Sequence, residues 1–281
     1  MKKKLPLIVI AAVAFVIALG LIFYPLISSA YNERHRSEIY THYEEQINNT
    51  DDSKLLQEKQ KAIAYNQDLT NYTPEALQNA ENDYKECLNL MGDGIMGYVK
   101  IPKIDVLLPI YHGSNADTLE VGAGHLLGSS LPVGGKNTHA VVTAHSAMAT
   151  DKMFSDLPQL QEGDVFYIEV LGEILAYQVD QIKTVTPYDT TYLSVVQNQD
   201  YCTLVTCTPF GVNTHRLLVR GSRIAYEKAV EIQETIDRTT ESVSTWEQHY
   251  IRGILIGLCG SIFVSLLAYT VWKAWRKRHD R

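Results

Sequence analysis

The stretch that decides the fold is TLVTCTPFGVNTHRLLVRG, residues 203–221. Two β-rich runs flank a short turn that contains proline, glycine and asparagine, which is typical of two strands joined as a hairpin. The first run ends at Cys207 and the second begins at Arg216. Pairing of the two runs therefore predicts a thiol and a guanidinium side by side at one end of a sheet.

Similar short β-rich runs continue on both sides of this hairpin, from Gly92 onward. They predict strands at 97–101, 106–111, 140–145, 165–171, 175–182, 201–207 and 216–224. Many short strands with few helices favour a closed barrel or a sandwich over a βαβ fold. A short helix is expected near 153–160. The glycines at 122–124 and 134–135 are interpreted as loop residues, because neither group has the strand-to-helix context of a phosphate-binding loop.

Both chain ends are apolar and flanked by basic residues. Leu5–Tyr24 is uncharged, follows three lysines and is long enough to cross about 30 Å of hydrocarbon. A cleaved signal peptide is the alternative, because residues 28–30 are small, but its apolar region would be shorter. Gly253–Trp272 is also uncharged and precedes a basic tail. The positive-inside rule then predicts a two-pass membrane protein with both termini in the cytoplasm and the chain between the two segments outside.

The chain between the two basic tails is strongly acidic. The tails hold 8 of the 25 Lys and Arg and 1 of the 32 Asp and Glu, which leaves 17 against 31, a net charge of −14. Such a surface argues against nucleic acid or anionic lipid as a ligand. The four cysteines lack metal-ligand spacing, so neither a metal nor a cofactor is expected.

A polar segment with helical periodicity precedes the strands. Ile39, Tyr43 and Ile47 recur at helical spacing, and residues 48–52 interrupt the pattern, with Asp52 or Ser53 as the expected cap of a second helix. A further helix is predicted from Pro74 to Leu90. The sequence predicts that the chain is divided into an anchor at 1–30, a helical or lid-like segment at 31–91, a barrel at 92–225, a helical linker at 226–250, a transmembrane helix at 251–273 and a basic tail at 274–281.

Cys207 is the candidate nucleophile. Alternation along the strand points Cys202 to the opposite face, and five extended residues span about 16 Å, too far for a disulfide. Cys202 is therefore expected to be a packed side chain. A thiol reacts as its thiolate, so Cys207 needs a base or a cation nearby.

His145 and Arg216 are the candidate partners of that thiol. His145 closes the apolar run 140–144, so it is expected at a strand end, as Cys207 is. Arg216 cannot act as a base and would stabilise negative charge on a carbonyl oxygen; a surface ion pair is its alternative. Structural roles are expected for the other histidines of this region, His112, His125, His139 and His215.

These residues resemble the pattern of the sortases, the cysteine transpeptidases of the outer surface of Gram-positive bacteria. The matching runs are TAH at 143–145, TLVTC at 203–207 and Arg216 after a short turn. The longer runs at 97–104, 130–135 and 207–221 resemble class C, the pilus-building subgroup. The likeness covers about Gly92 to Ile224 and implies a mainly β fold, a closed barrel of about eight strands with short helices, an N-terminal helical segment and two terminal transmembrane helices.

The resemblance also implies the chemistry. Cys207 would attack the carbonyl between Thr and Gly of a Leu-Pro-x-Thr-Gly-like signal, His145 would transfer protons, and Arg216 would hold the oxyanion or the substrate backbone. The acceptor would be a pilin lysine. Two features depart from class C: no Asp-Pro-aromatic lid motif lies between Tyr65 and Leu90, and residues 146–149 read SAMA where the subgroup often has Arg-Gly-Leu-Pro.

Other functions stay open at the level of sequence. One alternative is a sortase that anchors proteins to a peptidoglycan precursor in the cell wall. From a different class, the chain could be an inactive surface scaffold or a pilin-binding module. A papain-like protease is disfavoured, because there the cysteine precedes the histidine and here His145 precedes Cys207.

Overall fold

The structure is a computed structural model that describes residues 5–69, 81–146, 148, 150–239, 250–257, 259–261 and 270. Residues 24–242 form one compact unit, and the two chain ends form another. The predicted strands and the three candidate site residues lie within residues 24–242.

A closed β-barrel is the centre of that unit, as predicted. Its eight strands are β1 Ile95–Ile101, β2 Val106–His112, β3 Ala123–His125, β4 Thr138–Thr143, β5 Val165–Val170, β6 Glu173–Val185, β7 Asp200–Thr208 and β8 His215–Ile224. Around the barrel the order is β1-β2-β3-β4-β7-β8-β6-β5, and β5 pairs with β1 to close it. The β2–β3 and β4–β7 pairs are parallel and the others are antiparallel.

The period-two pattern of β7 shows why these sequences form strands. Cys202 and Leu204 point into the main barrel core, and both are fully buried. Val205 points outward, yet it is also buried, because it packs with Val141 and Leu218 in a second apolar cluster outside the barrel. Both faces of this sheet region are therefore apolar, and its outer face supports the site described below.

The third strand was missed by the sequence analysis. Ala123–His125 pairs with β2 and β4, whereas the glycines around it were interpreted as loop residues. A Cβ at Gly122 would lie 2.8 Å from the carbonyl oxygen of Pro109, and one at Gly124 would collide with the carbonyl oxygen of Gly113. Glycine is therefore required here by close backbone approach rather than by a turn.

Five helices lie within the described residues from 5 to 239. They are α1 Leu5–Asn48, α2 Asp52–Leu69, α3 Glu81–Glu86, α4 Ala116–Val121 and α5 Tyr226–Thr239. Short 3-10 turns cover Pro102–Ile104, Leu157–Gln159 and Thr191–Leu193. The helix expected near 153–160 is thus only a 3-10 turn, and the predicted helix from Pro74 to Leu90 is described only from Glu81 onward.

The first helix joins two segments that the sequence analysis treated separately. It runs without a break from the apolar N-terminal stretch, through Pro25, to Asn48. Its length and composition are those of a helix that could cross a membrane. The predicted interruption at 48–52 is present, but the cap is Asp51 and not Asp52 or Ser53: the Asp51 carboxylate accepts a hydrogen bond of 2.8 Å from the amide of Ser53.

The C-terminal half of α1 and helices α2 and α3 pack on the barrel. Tyr43 and Ile47 of α1 form an apolar cluster with Ile95 and Tyr98 of β1. Tyr65 of α2 joins the main core together with Tyr84 of α3. The segment before the barrel is therefore an integral part of its packing.

The second apolar segment is described only in part. Residues 250–257 and 259–261 are helical. Most of the predicted span 253–272 lies outside the described residues, as does the tail that follows it.

Candidate active site

The register of four neighbouring strands places Cys207 between the other two candidate residues. In the β7–β8 pair Cys207 lies opposite Arg216, and in the β6–β8 pair Arg216 lies opposite Val185. On the other side, the parallel β4–β7 pair matches Thr143 with Val205. Just beyond the end of β4, the Ala144 amide still donates to the Val205 carbonyl, so His145 follows on the β4 side of Cys207. Neighbouring strands lie about 4.8 Å apart, so the side chains of Cys207 and Arg216 start from adjacent backbone positions.

His145 lies beyond the end of its strand, which corrects the expectation that it closes the strand. β4 ends at Thr143, and the following turn is held to β7 by other bonds. The Ala144 amide donates to the Val205 carbonyl (3.1 Å), and the Thr206 hydroxyl donates to the Ala144 carbonyl (2.9 Å). The Ser146 hydroxyl donates to the Cys207 carbonyl (2.7 Å). The residues on both sides of His145 are thus bonded to the strand that carries Cys207, Ala144 through its backbone and Ser146 through its side chain.

One cavity of about 380 Å³ contains all three candidate residues. Its apolar walls come from the outer faces of β4, β6, β7 and β8, from α4, and from the loops after β3 and β6. The lining is Ser114, Leu119, Leu126, Val141, Thr143, Ala144, His145, Val185, Pro187, Asp189, Thr190, Leu193, Val205, Cys207, Arg216 and Leu218. A half-buried thiol in an apolar groove of this size is suited to hold an extended peptide against a nucleophile.

Local contacts of the hairpin turn orient Arg216. Its guanidinium donates to the carbonyls of Asn213 (3.3 Å) and His215 (3.1 Å). These are neutral acceptors of its own turn, and a surface ion pair, the alternative weighed for this residue, is not among the ion pairs of the described residues. The charge of Arg216 is therefore left for an anion in the cavity.

Comparison with known proteins identifies the fold and its family. The "Sortase domain" family model matches residues 99–224. Sortase C1 from Streptococcus agalactiae is 40% identical, with a TM-score of 0.63, and the similarity covers 67% of this chain and 98% of that one. The chain belongs to the sortase family of cysteine transpeptidases. Sortase C of Clostridium perfringens, solved with the C-terminal cell wall sorting motif, is 43% identical over 67% of this chain and 99% of that one, with a TM-score of 0.60.

Among curated sequences the similarity is more distant. Sortase D of Bacillus subtilis (strain 168) is 30% identical over 131 residues, 46% of this chain and 63% of that protein. Sortase A of Streptococcus agalactiae is 29% identical over 47% of its own length. The chain thus spans less than two thirds of these two relatives. The two sortase C structures named above match over nearly their full length.

The remaining described cysteines of the folded unit of this sortase are unsuited to nucleophilic attack. Cys202 is fully buried inside the barrel, as expected, and this burial raises its pKa far above the ordinary value. Burial also raises the pKa of Cys87 to about 11, with the charge of Glu58 adding to the effect. Both thiols stay protonated at neutral pH and lie away from the cavity.

Three of the other histidines serve the structure, as expected. His139 is buried and contacts the hydroxyl of Thr203 (2.7 Å), and its burial lowers its pKa. His112 contacts the carbonyls of Gly94 and Cys87 through its two ring nitrogens. His125 is completely buried. The fourth, His215, is exposed on the hairpin.

The walls and the supports of the site were not predicted from the sequence. Val141 and Leu218 read only as strand residues, Val185 lies beyond the predicted strand 175–182, and their common outer face depends on non-local pairing. The hydroxyls of Ser146 and Thr206 gave no signal beyond their neighbourhood to His145 and Cys207. Within the described residues, no group of three or more His, Cys, Asp or Glu side chains could hold a metal ion.

Proposed function

We propose that this sortase cleaves an LPxTG-like sorting signal between Thr and Gly and transfers the new acyl end to an amine, in the first place a pilin lysine. The observation that carries the proposal is one apolar cavity lined by Cys207, by Arg216 opposite it on the next strand, and by His145 in the turn after β4. The similarity to sortase C of Clostridium perfringens, which was solved with a sorting motif, supports the same substrate class.

The proposed reaction has two acyl transfers. The thiolate of Cys207 attacks the threonine carbonyl carbon, and the guanidinium of Arg216 stabilises the negative oxygen of the tetrahedral intermediate. A protonated His145 gives its proton to the leaving glycine amine as the C–N bond breaks, which leaves a thioester on Cys207. The acceptor amine then loses a proton to His145 and attacks the thioester, and the thiolate is released.

A carboxylate in the cavity favours a cationic acceptor. Asp189 lines the same space as Cys207, and hydrogen bonds from the side chain and amide of Thr191 lower its pKa. It therefore stays ionised at neutral pH, where a lysine side chain arrives as an ammonium group. Attraction between these charges would raise the local concentration of the acceptor.

The proposed location follows from the apolar ends. Helix α1 would anchor the chain in the cell membrane, the segment 253–272 would form a second span, and both termini would lie in the cytoplasm. The barrel would then face outward, where sorting signals and acceptor amines are present. The proposed outer part consists of a helical segment at 31–91, the catalytic barrel at 92–225 and a helical linker at 226–250.

The test is transfer by the full-length chain in detergent. The purified protein is mixed with an LPxTG peptide and either pilin or a peptidoglycan-precursor peptide, and mass spectrometry follows the thioester and the product. Pilin ladders are expected; attachment to the wall peptide alone would favour the anchoring alternative, and no adduct on Cys207 would favour a scaffold.

Single substitutions assign the roles. Cys207→Ala is expected to abolish the adduct, and His145→Ala and Arg216→Ala to slow its formation at least about 100-fold, the usual effect of losing a proton donor or an oxyanion donor. His215→Ala is the matched control, because His215 is exposed beside Arg216 and does not line the cavity. Equal losses in His215→Ala and His145→Ala would contradict the assigned role of His145.

A further inference from the structure

The turn that follows His145 is held to a strand at its start, where the Ser146 hydroxyl donates to the Cys207 carbonyl of β7. It belongs to the connection 144–164 between β4 and β5. The amide of Phe154 donates to the carbonyl of His145 (2.9 Å), so the far side of the turn returns to the histidine. Met153 and Phe154 are buried in the main core. The stretch with Thr150 and Asp151 lies between these two attachments, so the placement of the imidazole also depends on what holds this stretch.

Helix α1 contacts this stretch directly. The side-chain amide of Asn32 donates to the carbonyl of Thr150 (3.2 Å). Arg36 forms an ion pair with Asp151, and the two side chains are only 12% and 3% exposed. Asp151 also accepts a hydrogen bond from the amide of Met153 (3.3 Å). A continuous path thus runs from the Arg36 guanidinium through the Asp151 carboxylate to the segment 153–154, which is bonded to His145.

The chemistry of Arg36 argues for a role beyond holding the helix down. Its Nε atom is buried and lacks a hydrogen-bond partner within the described part of the chain. A buried ion pair with an unsatisfied donor gains little stability over apolar residues of the same size. Its advantage is geometric, because a guanidinium directs its donors in fixed directions and fixes the carboxylate that it binds.

We propose that Arg36 is a positioning residue of the active site: through Asp151, helix α1 holds the turn that carries His145. This inference rests on the proposed function, since it concerns the proton transfers assigned to that imidazole. The segment before the barrel then contributes to catalysis without lining the cavity. Loss of the contact displaces His145 while the cavity walls on the strands and on the loop after β6, which Arg36 does not contact, stay in place.

The experiment compares two buried ion pairs in the full-length chain. Arg36→Met removes the proposed contact. Lys103→Met is the matched control, because Lys103 pairs with Asp164 at the far end of the same connection, with side chains 12% and 7% exposed. Both variants are expected to lower the midpoint of thermal unfolding, since each leaves a buried carboxylate unpaired.

The two variants are expected to differ in catalysis. In Arg36→Met, kcat for acyl transfer falls about 10-fold to 100-fold with KM within about twofold, because a misplacement of the order of 1 Å has effects of this size. In Lys103→Met both constants stay within about twofold of wild type. Rates are expressed per folded site by titrating Cys207, so that a loss of folded protein does not count. Arg36→Lys, which keeps the charge, is expected to recover part of kcat.

An independent readout does not need activity. Amide hydrogen exchange at Phe154, whose amide is bonded to His145, is expected to accelerate in Arg36→Met and not in Lys103→Met. Equal kcat in Arg36→Met and wild type, or equal losses in the two variants, would overturn the proposal. If the wild type transfers nothing, the proposed function fails, and the exchange experiment alone decides whether Arg36 positions the turn.

Discussion

A decrease in pH is expected to destabilise this sortase through His125. His125 is the last residue of β3, and its imidazole is fully buried against Tyr84 of α3. Its Nε2–H faces the carbonyl of Ser130 (2.8 Å), and its Nδ1 accepts from the hydroxyl of Tyr84 (3.0 Å). Burial lowers its pKa from 6.5 to about 4, the charge of His112 acts in the same direction, and the bond to Ser130 opposes them. In a protonated ring Nδ1 becomes a donor, so the bond with the Tyr84 hydroxyl would have to reverse its direction.

The magnitude follows from proton linkage. Below pH 6.5 the unfolded chain binds a proton at this histidine, and the folded chain does not until the pH approaches 4. The free energy of unfolding therefore falls with decreasing pH across this window, by about 1.4 kcal/mol per pH unit and about 3 kcal/mol in all. That loss is a large part of the ordinary stability of a domain, which is about 5–15 kcal/mol.

The assay is urea unfolding of the full-length chain in detergent, followed by the near-ultraviolet circular dichroism of its buried tyrosines. Wild type is compared with His125→Gln, which stays neutral and can still donate to the carbonyl of Ser130. The stability difference between the two proteins is expected to change by about 3 kcal/mol between about pH 7 and pH 4, against the wild type at low pH. Parallel stability curves would refute the reasoning, because the other titrating groups are common to both proteins.

Two further predictions concern the thiols and the packing of β8. At neutral pH in the native state, iodoacetamide is expected to modify Cys207 and to leave Cys87 and Cys202 unmodified, since burial keeps the latter two protonated. Peptide mapping checks this. Labelling of Cys202 at the rate of Cys207 would contradict its burial inside the barrel. Gly221→Ala is expected to lower stability by about 1–3 kcal/mol, because its Cβ would lie 2.6 Å from the ring of Phe166. A thermal midpoint equal to that of wild type would show that the ring moves aside freely.

The hairpin 201–224 could be predicted because its information is local. Strand alternation separated Cys202 from Cys207, and a short turn brought Arg216 opposite Cys207. The short, even spacing of the strand patterns also indicated a barrel or a sandwich, and the structure has a closed barrel. Each of these inferences depends on residues close together in the chain.

Features that depend on distant parts of the chain were missed or misplaced. The strand Ala123–His125 was missed, because the glycines in and beside it are required by the close approach of backbone atoms from other segments and not by a turn. His145 was placed at a strand end, although β4 stops at Thr143 and the turn beyond it is fixed by bonds to β7. The contact between Arg36 and Asp151 joins residues 115 positions apart, and no local sequence pattern predicts it.

The sequence alone thus determined most of the strands, the outward-facing thiol and the guanidinium beside it, because backbone alternation and a tight turn act over a few residues. Only the tertiary structure decided which cavity the imidazole and that thiol share and what encloses it. Parallel pairing of β4 with β7 and the contacts of α1 with Thr150 and Asp151 are long-range contacts that depend on the assembled core.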